Sequence, residues 1–263
     1  MLGSSLTLPA GPYVEILGRG DPVVMLHGWS MQGALMRQLA EALSVRYQVF
    51  LVDLPGHGFS RDVIPFSMPS VLKEIRSIVP QRAHWVGWSL GGLLATAMAI
   101  ASPSAVISLS LIAASPCFIE RPGWSGQSPE LLMRMSQDLK EHHEATLRRF
   151  ISLQTLGLDN ARELTHSILS LISAAPKARL SALEGGLSLL MHTDLRASLA
   201  LLCQPMLVVL GGRDRLVPIS ISDQIHELRR DVVIQRINQA AHVPFLTHAE
   251  EVERVLMSFL ASA

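Results

Sequence analysis

Trp85-Val86-Gly87-Trp88-Ser89-Leu90-Gly91-Gly92 sets one serine between a short apolar run and an apolar stretch of helical character, with a glycine two positions to either side. A side chain held at a sharp strand-to-helix turn sits in strained backbone. Glycines at 87 and 91 remove the β-carbons that would collide as strand and helix approach. The turn also directs the amide of Leu90, at a helix N-terminus, toward whatever carbonyl the serine attacks. Two bland readings compete: a glycine-rich loop with an incidental serine, and a phosphate-binding turn. The second lacks both the Lys-Ser/Thr ending of a P-loop and the spacing of a dinucleotide fingerprint.

Outward from this turn, β-rich runs alternate with amphipathic segments. Val23–Leu26 is followed by Met31–Ser44, with Leu35, Leu39 and Leu43 four apart, and then by Val49–Val52. The rhythm continues through Met68–Val79, the strand His84-Trp85-Val86, a helix from Leu90 and the strand Val106–Ala113. It predicts an α/β fold, a mainly parallel sheet with helices on both faces. From Cys117 to His192 no strand is legible. That stretch shows only helical patterns, broken by Pro122, Gly123, Gly157, Pro176 and Gly185-Gly186. Alternation resumes with Met206–Leu210, a helix near Ser220–Leu228, Val232–Ile234 and a closing helix after Pro244. The expected organisation is a core of residues 1–116 and 193–263 interrupted by a helical cap, 117–192.

Composition narrows the function. The 22 basic and 22 acidic residues cancel, so there is no global field to hold nucleic acid or an anionic membrane. Cys117 and Cys203 are the only cysteines and show no metal-ligand spacing. Met1–Ser5 lacks a basic, apolar secretory pattern, and Leu90–Ala101 falls well short of the ~20 residues of a membrane span. A soluble cytoplasmic protein, monomeric and without metal or cofactor, is expected.

A serine hydroxyl is a weak nucleophile at neutral pH and needs a base. The strand–serine–helix arrangement resembles the nucleophile elbow of the α/β hydrolases, in which the order along the chain is nucleophile, acid, histidine. Asp214 follows the strand Met206–Leu210 and the turn Gly211-Gly212-Arg213. His242 lies in the loop Asn238–Pro244. Asp53 is the rival acid, but it precedes the serine, and the adjoining Leu54-Pro55-Gly56-His57-Gly58 gives it a role in turn formation. A second oxyanion donor is expected from Leu26-His27-Gly28-Trp29, through the Trp29 amide, with His27 structural. The aromatic faces of Trp29 and Trp88 suit an acyl pocket, and core packing accounts equally well for Trp88. A dehalogenase would need a carboxylate at position 89.

Five segments carry a closer resemblance: Leu26–Trp29, Val52–Gly56, Gly87–Gly92, Ala114–Phe118 and Ala240–Phe245. Two more lie in the cap, Arg149–Thr155 and Gly185–Leu187. Together they resemble the pimeloyl-acyl carrier protein methyl ester esterases of bacterial biotin synthesis, nearly end to end. The resemblance implies a serine carboxylesterase that removes the methyl group from a pimeloyl chain on acyl carrier protein. It puts Ser89, Asp214 and His242 in the triad and Trp29 and Leu90 in the oxyanion hole. The substrate-binding set is then Trp29, Ser89, Leu90, Phe150, Ile151, Ser152, Leu153, Gln154 and His242. It also implies that cap arginines meet the acidic carrier, here Arg148, Arg149 and Arg162, while Ala145 and His166 stand where the family pattern has arginine. The same arginines also read as a solvated helix face, diluted by Glu141, Glu144 and Glu163. A general short-chain carboxylesterase would share every catalytic residue, and a ligand receptor on the same fold would bind without turnover.

Overall fold

The computed structural model describes residues 5–6, 11–60 and 66–263; residues 1–4, part of the stretch read for a secretory pattern, lie outside them. Two short strands, β1 (Ser5–Leu6) and β2 (Val14–Leu17), open the chain. Then β3 (Asp21–Leu26) leads through a 3-10 turn, Gly33–Met36, into α1 (Arg37–Leu43), β4 (Tyr47–Val52), α2 (Met68–Ile78), β5 (Ala83–Trp88), α3 (Leu90–Ala101) and β6 (Val106–Ile112). The helix expected from Met31 therefore starts later, at Arg37.

Between β6 and the next strand the chain forms α4 (Pro129–Glu141), α5 (His143–Thr155), α6 (Ala161–Ser173), α7 (Leu180–His192) and the short α8 (Arg196–Leu199). Ser128 caps α4 by accepting from the Leu131 amide, with Pro129 at the first helical position where no N–H is needed. Gly185-Gly186, expected to break helix, lies inside α7. The core is completed by β7 (Met206–Gly211), α9 (Ile221–Leu228), β8 (Val233–Ile237), α10 (Pro244–Thr247) and α11 (Ala249–Leu260).

The strand order is β1-β2-β4-β3-β5-β6-β7-β8. The six strands β3–β8 pair in parallel, and β2 joins β4 antiparallel. Every residue of β5 and β7 is buried, the signature of strands covered on both faces. From β3 the chain steps to β4 on one side, and from β4 it crosses to β5 on the other. With right-handed crossovers, this reversal puts α1 and α2 on opposite faces. Accordingly α1 packs against α11, and α2 against α3. A reversal of this kind leaves a crevice at the carboxyl ends of the two central strands. Those strands are β3 and β5, which end at Leu26 and Trp88, immediately before the Trp29 loop and Ser89.

Candidate active site

Ser89 occupies the turn between β5 and α3 with φ 54° and ψ −118°, the strained positive-φ geometry expected of a nucleophile turn. The glycines around it are sterically required. A β-carbon on Gly87 would lie 2.4 Å from the Gly91 carbonyl oxygen, and one on Gly91 2.2 Å from that of Leu26. The third approach is that of Gly28, whose β-carbon would stand 3.2 Å from Ser89 Cβ. The backbone leading into Trp29 thus runs directly against the serine. Leu90 is the first residue of α3, where N–H groups have no intrahelical acceptor.

The side chain of His242 bridges Ser89 and Asp214. Asp214 Oδ2 lies 2.8 Å from His242 Nδ1. A carboxylate only accepts, so Nδ1 carries the proton and Nε2 is free to accept from the Ser89 hydroxyl at 3.0 Å. Asp214 is itself fixed: its Oδ1 accepts from the amides of Leu216 at 2.7 Å and Val217 at 3.0 Å. All three residues are buried. This is the arrangement by which a serine is deprotonated as it attacks, with the resulting imidazolium stabilised by a carboxylate.

The rivals have other work. Asp53 accepts from the Gly33 and Phe59 amides at 2.7 and 2.9 Å, and burial pushes its carboxyl upward. His27 accepts from the Leu54 amide through Nε2 at 2.9 Å, and its Nδ1 donates to the Gly28 carbonyl at 2.8 Å. Burial lowers its pKa to about 4, so it stays neutral and ties two loops together. Trp88 is a packing residue with one polar duty: its ring lies against Phe245, and its indole N–H donates to the His242 carbonyl at 2.8 Å.

The helices between β6 and β7 contribute unevenly. Phe150 meets the Trp29 ring edge to face at 4.8 Å between centroids, and Ile151 is buried beside it in sequence. Leu153 is half-buried. Gln154 is buried, with neither side-chain amide atom hydrogen-bonded, and its backbone carbonyl accepts from the His242 amide at 3.1 Å. Ser152 points away, exposed, its hydroxyl donating to the Arg148 carbonyl. Five consecutive helical residues cannot share one face.

The three arginines expected to dock a carrier are exposed but fall in different surroundings. Arg149 pairs with Asp138 of α4 at 3.1 Å. Arg148 lines a cavity beside Lys177, and Arg162 edges a surface depression with Asp159, Glu163 and His166.

A link that the sequence reading missed is the tight seat of Trp29 under α7. Its indole N–H donates to the Leu183 carbonyl at 2.8 Å, and Gly186 leaves room for the ring. The Gly185-Gly186 pair was the available signal.

The esterase named pimeloyl-acyl carrier protein methyl ester esterase from Methylococcus capsulatus is 42% identical to this chain over 253 residues, covering 96% of this chain and 100% of the relative. The chain belongs to this esterase family. A relative of the same name from Aeromonas hydrophila is 38% identical, covering 94% of this chain and 98% of the relative. The model of the alpha/beta hydrolase fold matches residues 21–249. An esterase from Exiguobacterium antarcticum superposes with a TM-score of 0.85 at 22% identity, covering 99% of this chain and 100% of that one, and supports the fold alone. Family membership and the Ser89–His242–Asp214 geometry come from separate observations. Among the described residues, no helix is long and apolar enough to cross a membrane.

Proposed function

We propose that this member of the esterase family hydrolyses the methyl ester at the far end of a pimeloyl chain carried on acyl carrier protein, a step of biotin synthesis. Ser89 attacks the ester carbonyl while His242 Nε2 takes its proton, and Asp214 holds the imidazole in the required tautomer. The amides of Trp29 and Leu90 receive the charge on the carbonyl oxygen. Collapse of the tetrahedral intermediate expels methanol, with the proton returned from His242. Water, deprotonated by the same histidine, then attacks the acyl-serine and releases the free carboxylate. The carrier thioester is untouched.

The observation that supports the hydrolytic chemistry is the unbroken hydrogen-bond chain Ser89–His242–Asp214 at the switch point of the sheet, and the choice of substrate is supported by the 42% identity to a relative named for it. Residues 117–192 act in this reading as the cap, with Phe150, Ile151 and Gln154 against the acyl chain. The cavity of about 200 Å³ that Arg148 and Lys177 line is mixed in character: Leu147, Ile151, Leu169, Ile172 and Ala178 give it apolar surface, and Ser30, His143, Glu144 and Ser173 join the two cations as its polar lining. Carrier docking is assigned to Arg148, Arg149 and Arg162 on the exposed surfaces of α5 and α6.

The test uses methyl pimeloyl-acyl carrier protein, with products read by intact mass, alongside fluorophosphonate labelling. The parent should lose the methyl group and keep the thioester, with label at Ser89. Ser89→Ala should abolish both labelling and turnover, and Asp214→Asn should lower kcat by about two orders of magnitude or more. Cleavage of the thioester instead, or labelling that persists in Ser89→Ala, would overturn the reading. Preference for a free short-chain methyl ester over the carrier-bound one would assign a general carboxylesterase.

A further inference from the structure

Asp214 and His242 stand on separate loops, each following a different strand, and their contact depends on how those loops are held. The residue between them in this respect is Arg213. Its backbone N–H donates to the Ala240 carbonyl at 2.9 Å, while the neighbouring Gly212 amide donates to the Ile237 carbonyl at 3.0 Å. Its guanidinium then makes two further bonds in different directions. One nitrogen donates to the Gln239 side-chain oxygen, on the His242 loop. The other donates to the Gly157 carbonyl at 2.9 Å, in the turn between α5 and α6.

The α5 end of that turn is already tied to the histidine, because the His242 amide donates to the Gln154 carbonyl at 3.1 Å. Gly157, three residues on, takes the positive φ of 91° that turns the chain out of α5. Gln154 and Gly157 therefore bind the two triad loops at neighbouring points, one through the His242 backbone and one through Arg213. The α5–α6 turn is thus hydrogen-bonded to both of the loops that carry the Asp214–His242 contact, 2.8 Å long.

We infer that Arg213 is a positioning residue that locks the α5–α6 turn to the Asp214 and His242 loops, and so sets triad alignment. The inference rests on the Ser89–His242–Asp214 reading. Arginine suits the position because its planar fork satisfies two acceptors in fixed directions, whereas a lysine ammonium is a point donor on a flexible stem. Small misplacements of reacting groups carry large rate penalties, up to about a hundredfold for 1 Å.

The test compares Arg213→Ala, Arg213→Lys, Gln239→Ala and the Arg213→Ala/Gln239→Ala double variant with the parent. The readouts are hydrolysis of a short p-nitrophenyl ester, fluorophosphonate labelling and thermal unfolding. Arg213→Ala should lower kcat roughly tenfold while KM stays within about twofold, because alignment is lost and not ground-state binding. Arg213→Lys should recover part of that loss. Gln239→Ala should lose less, and the double variant should be no worse than Arg213→Ala, since the two side chains act through one bond. Melting temperatures should stay within about 2 °C of the parent, as expected for a partly exposed polar side chain. Unchanged kcat in Arg213→Ala, additive losses in the double variant, or equal losses in the Ala and Lys variants that track a fall in melting temperature would each overturn the positioning role. A parent that is not labelled at Ser89 would overturn the triad reading and this inference with it. A labelled parent with unaffected variants would overturn this inference alone.

Discussion

Gly186, inside α7, lies so close to the Trp29 indole that a β-carbon there would stand 2.7 Å from Trp29 Cδ1 and 3.2 Å from Leu90 Cδ2. Both residues proposed to supply oxyanion amides thus have side chains packed under one helical glycine. The same helix accepts the Trp29 indole N–H at the Leu183 carbonyl, so α7 holds the ring from two directions.

Gly186→Ala is therefore expected to impair catalysis although alanine is the better helix former by about 1 kcal/mol. The Trp29 ring is fully buried and hydrogen-bonded to α7, and relieving the overlap must shift the ring or the helix, at a cost of about 1–3 kcal/mol. Gly185→Ala is the control. Its β-carbon would meet the Phe66 carbonyl oxygen at 2.4 Å, a backbone clash of similar severity that does not touch Trp29 or Leu90. Both variants should unfold at lower temperature than the parent. Only Gly186→Ala should also lower kcat on a short p-nitrophenyl ester, by about threefold or more. Equal kcat in the two variants would separate α7 packing from the oxyanion hole.

The nucleophile turn was legible in the sequence because one of its constraints is local, Gly87 being needed by the carbonyl of Gly91 four residues on, while Gly91, needed by the Leu26 carbonyl of the adjoining strand, falls in the same short pattern. Asp214 and His242 were legible from their order after strand-like runs. Gly185-Gly186 was not, because helix propensity argues for a break there, while the tertiary contact with Trp29 favours a helix without a β-carbon. Main-chain links were equally invisible: the Gln154 carbonyl that fixes the His242 amide has no signature in residue type. Ser152 entered the acyl-contact set with the cap segment that carries the family resemblance, and the 3.6-residue period turns it outward. The antiparallel strand β2 is four residues long with a single fully buried position, too little for a periodicity to register.

The neutral histidines beneath the Asp53 loop make stability sensitive to acid. In His27 both ring nitrogens are engaged as a neutral tautomer, so a second proton would face the Leu54 N–H. Burial lowers its pKa to about 4, and burial with the nearby His27 lowers that of His57 to about 3. In the unfolded chain both return to about 6.5. Above that pH neither state binds the proton, and the stability is fully present. As pH falls below it, the unfolded state gains protons that the folded state refuses. Each histidine then removes stability progressively, down to pH about 4 for His27 and about 3 for His57. The raised Asp53 carboxyl acts with the opposite sign and makes the slope shallower where it titrates. Urea unfolding at pH 7.5, 6.0 and 5.0 should show a steady loss of stability, and His57→Gln should flatten it. Constant stability from pH 7 to 4.5 would refute the buried-neutral assignment.

The carrier-docking assignment makes a prediction in which the different surroundings of the three arginines matter. Arg149 is paired with Asp138, so part of its charge is already answered, and an acidic carrier must compete for it. Arg148 and Arg162 have no such ion pair among the described residues. Exposed pairs contribute little to stability, about 0–1 kcal/mol, so none of the replacements should unfold the protein. Association with an acidic partner depends instead on the summed field and on charge-assisted bonds. Replacing all three arginines with alanine should lower kcat/KM for methyl pimeloyl-acyl carrier protein about tenfold or more, equivalent to roughly 1.4 kcal/mol. The loss should be larger at low ionic strength, where screening is weaker, and singly, Arg149→Ala should cost least. A short p-nitrophenyl ester, which carries no acidic partner, should be hydrolysed as by the parent. The decisive measurement is kcat/KM for both substrates at low and moderate salt. Equal losses on the two substrates would mean that the replacements disturbed α5 and α6, and no loss on the carrier substrate would remove these arginines from docking.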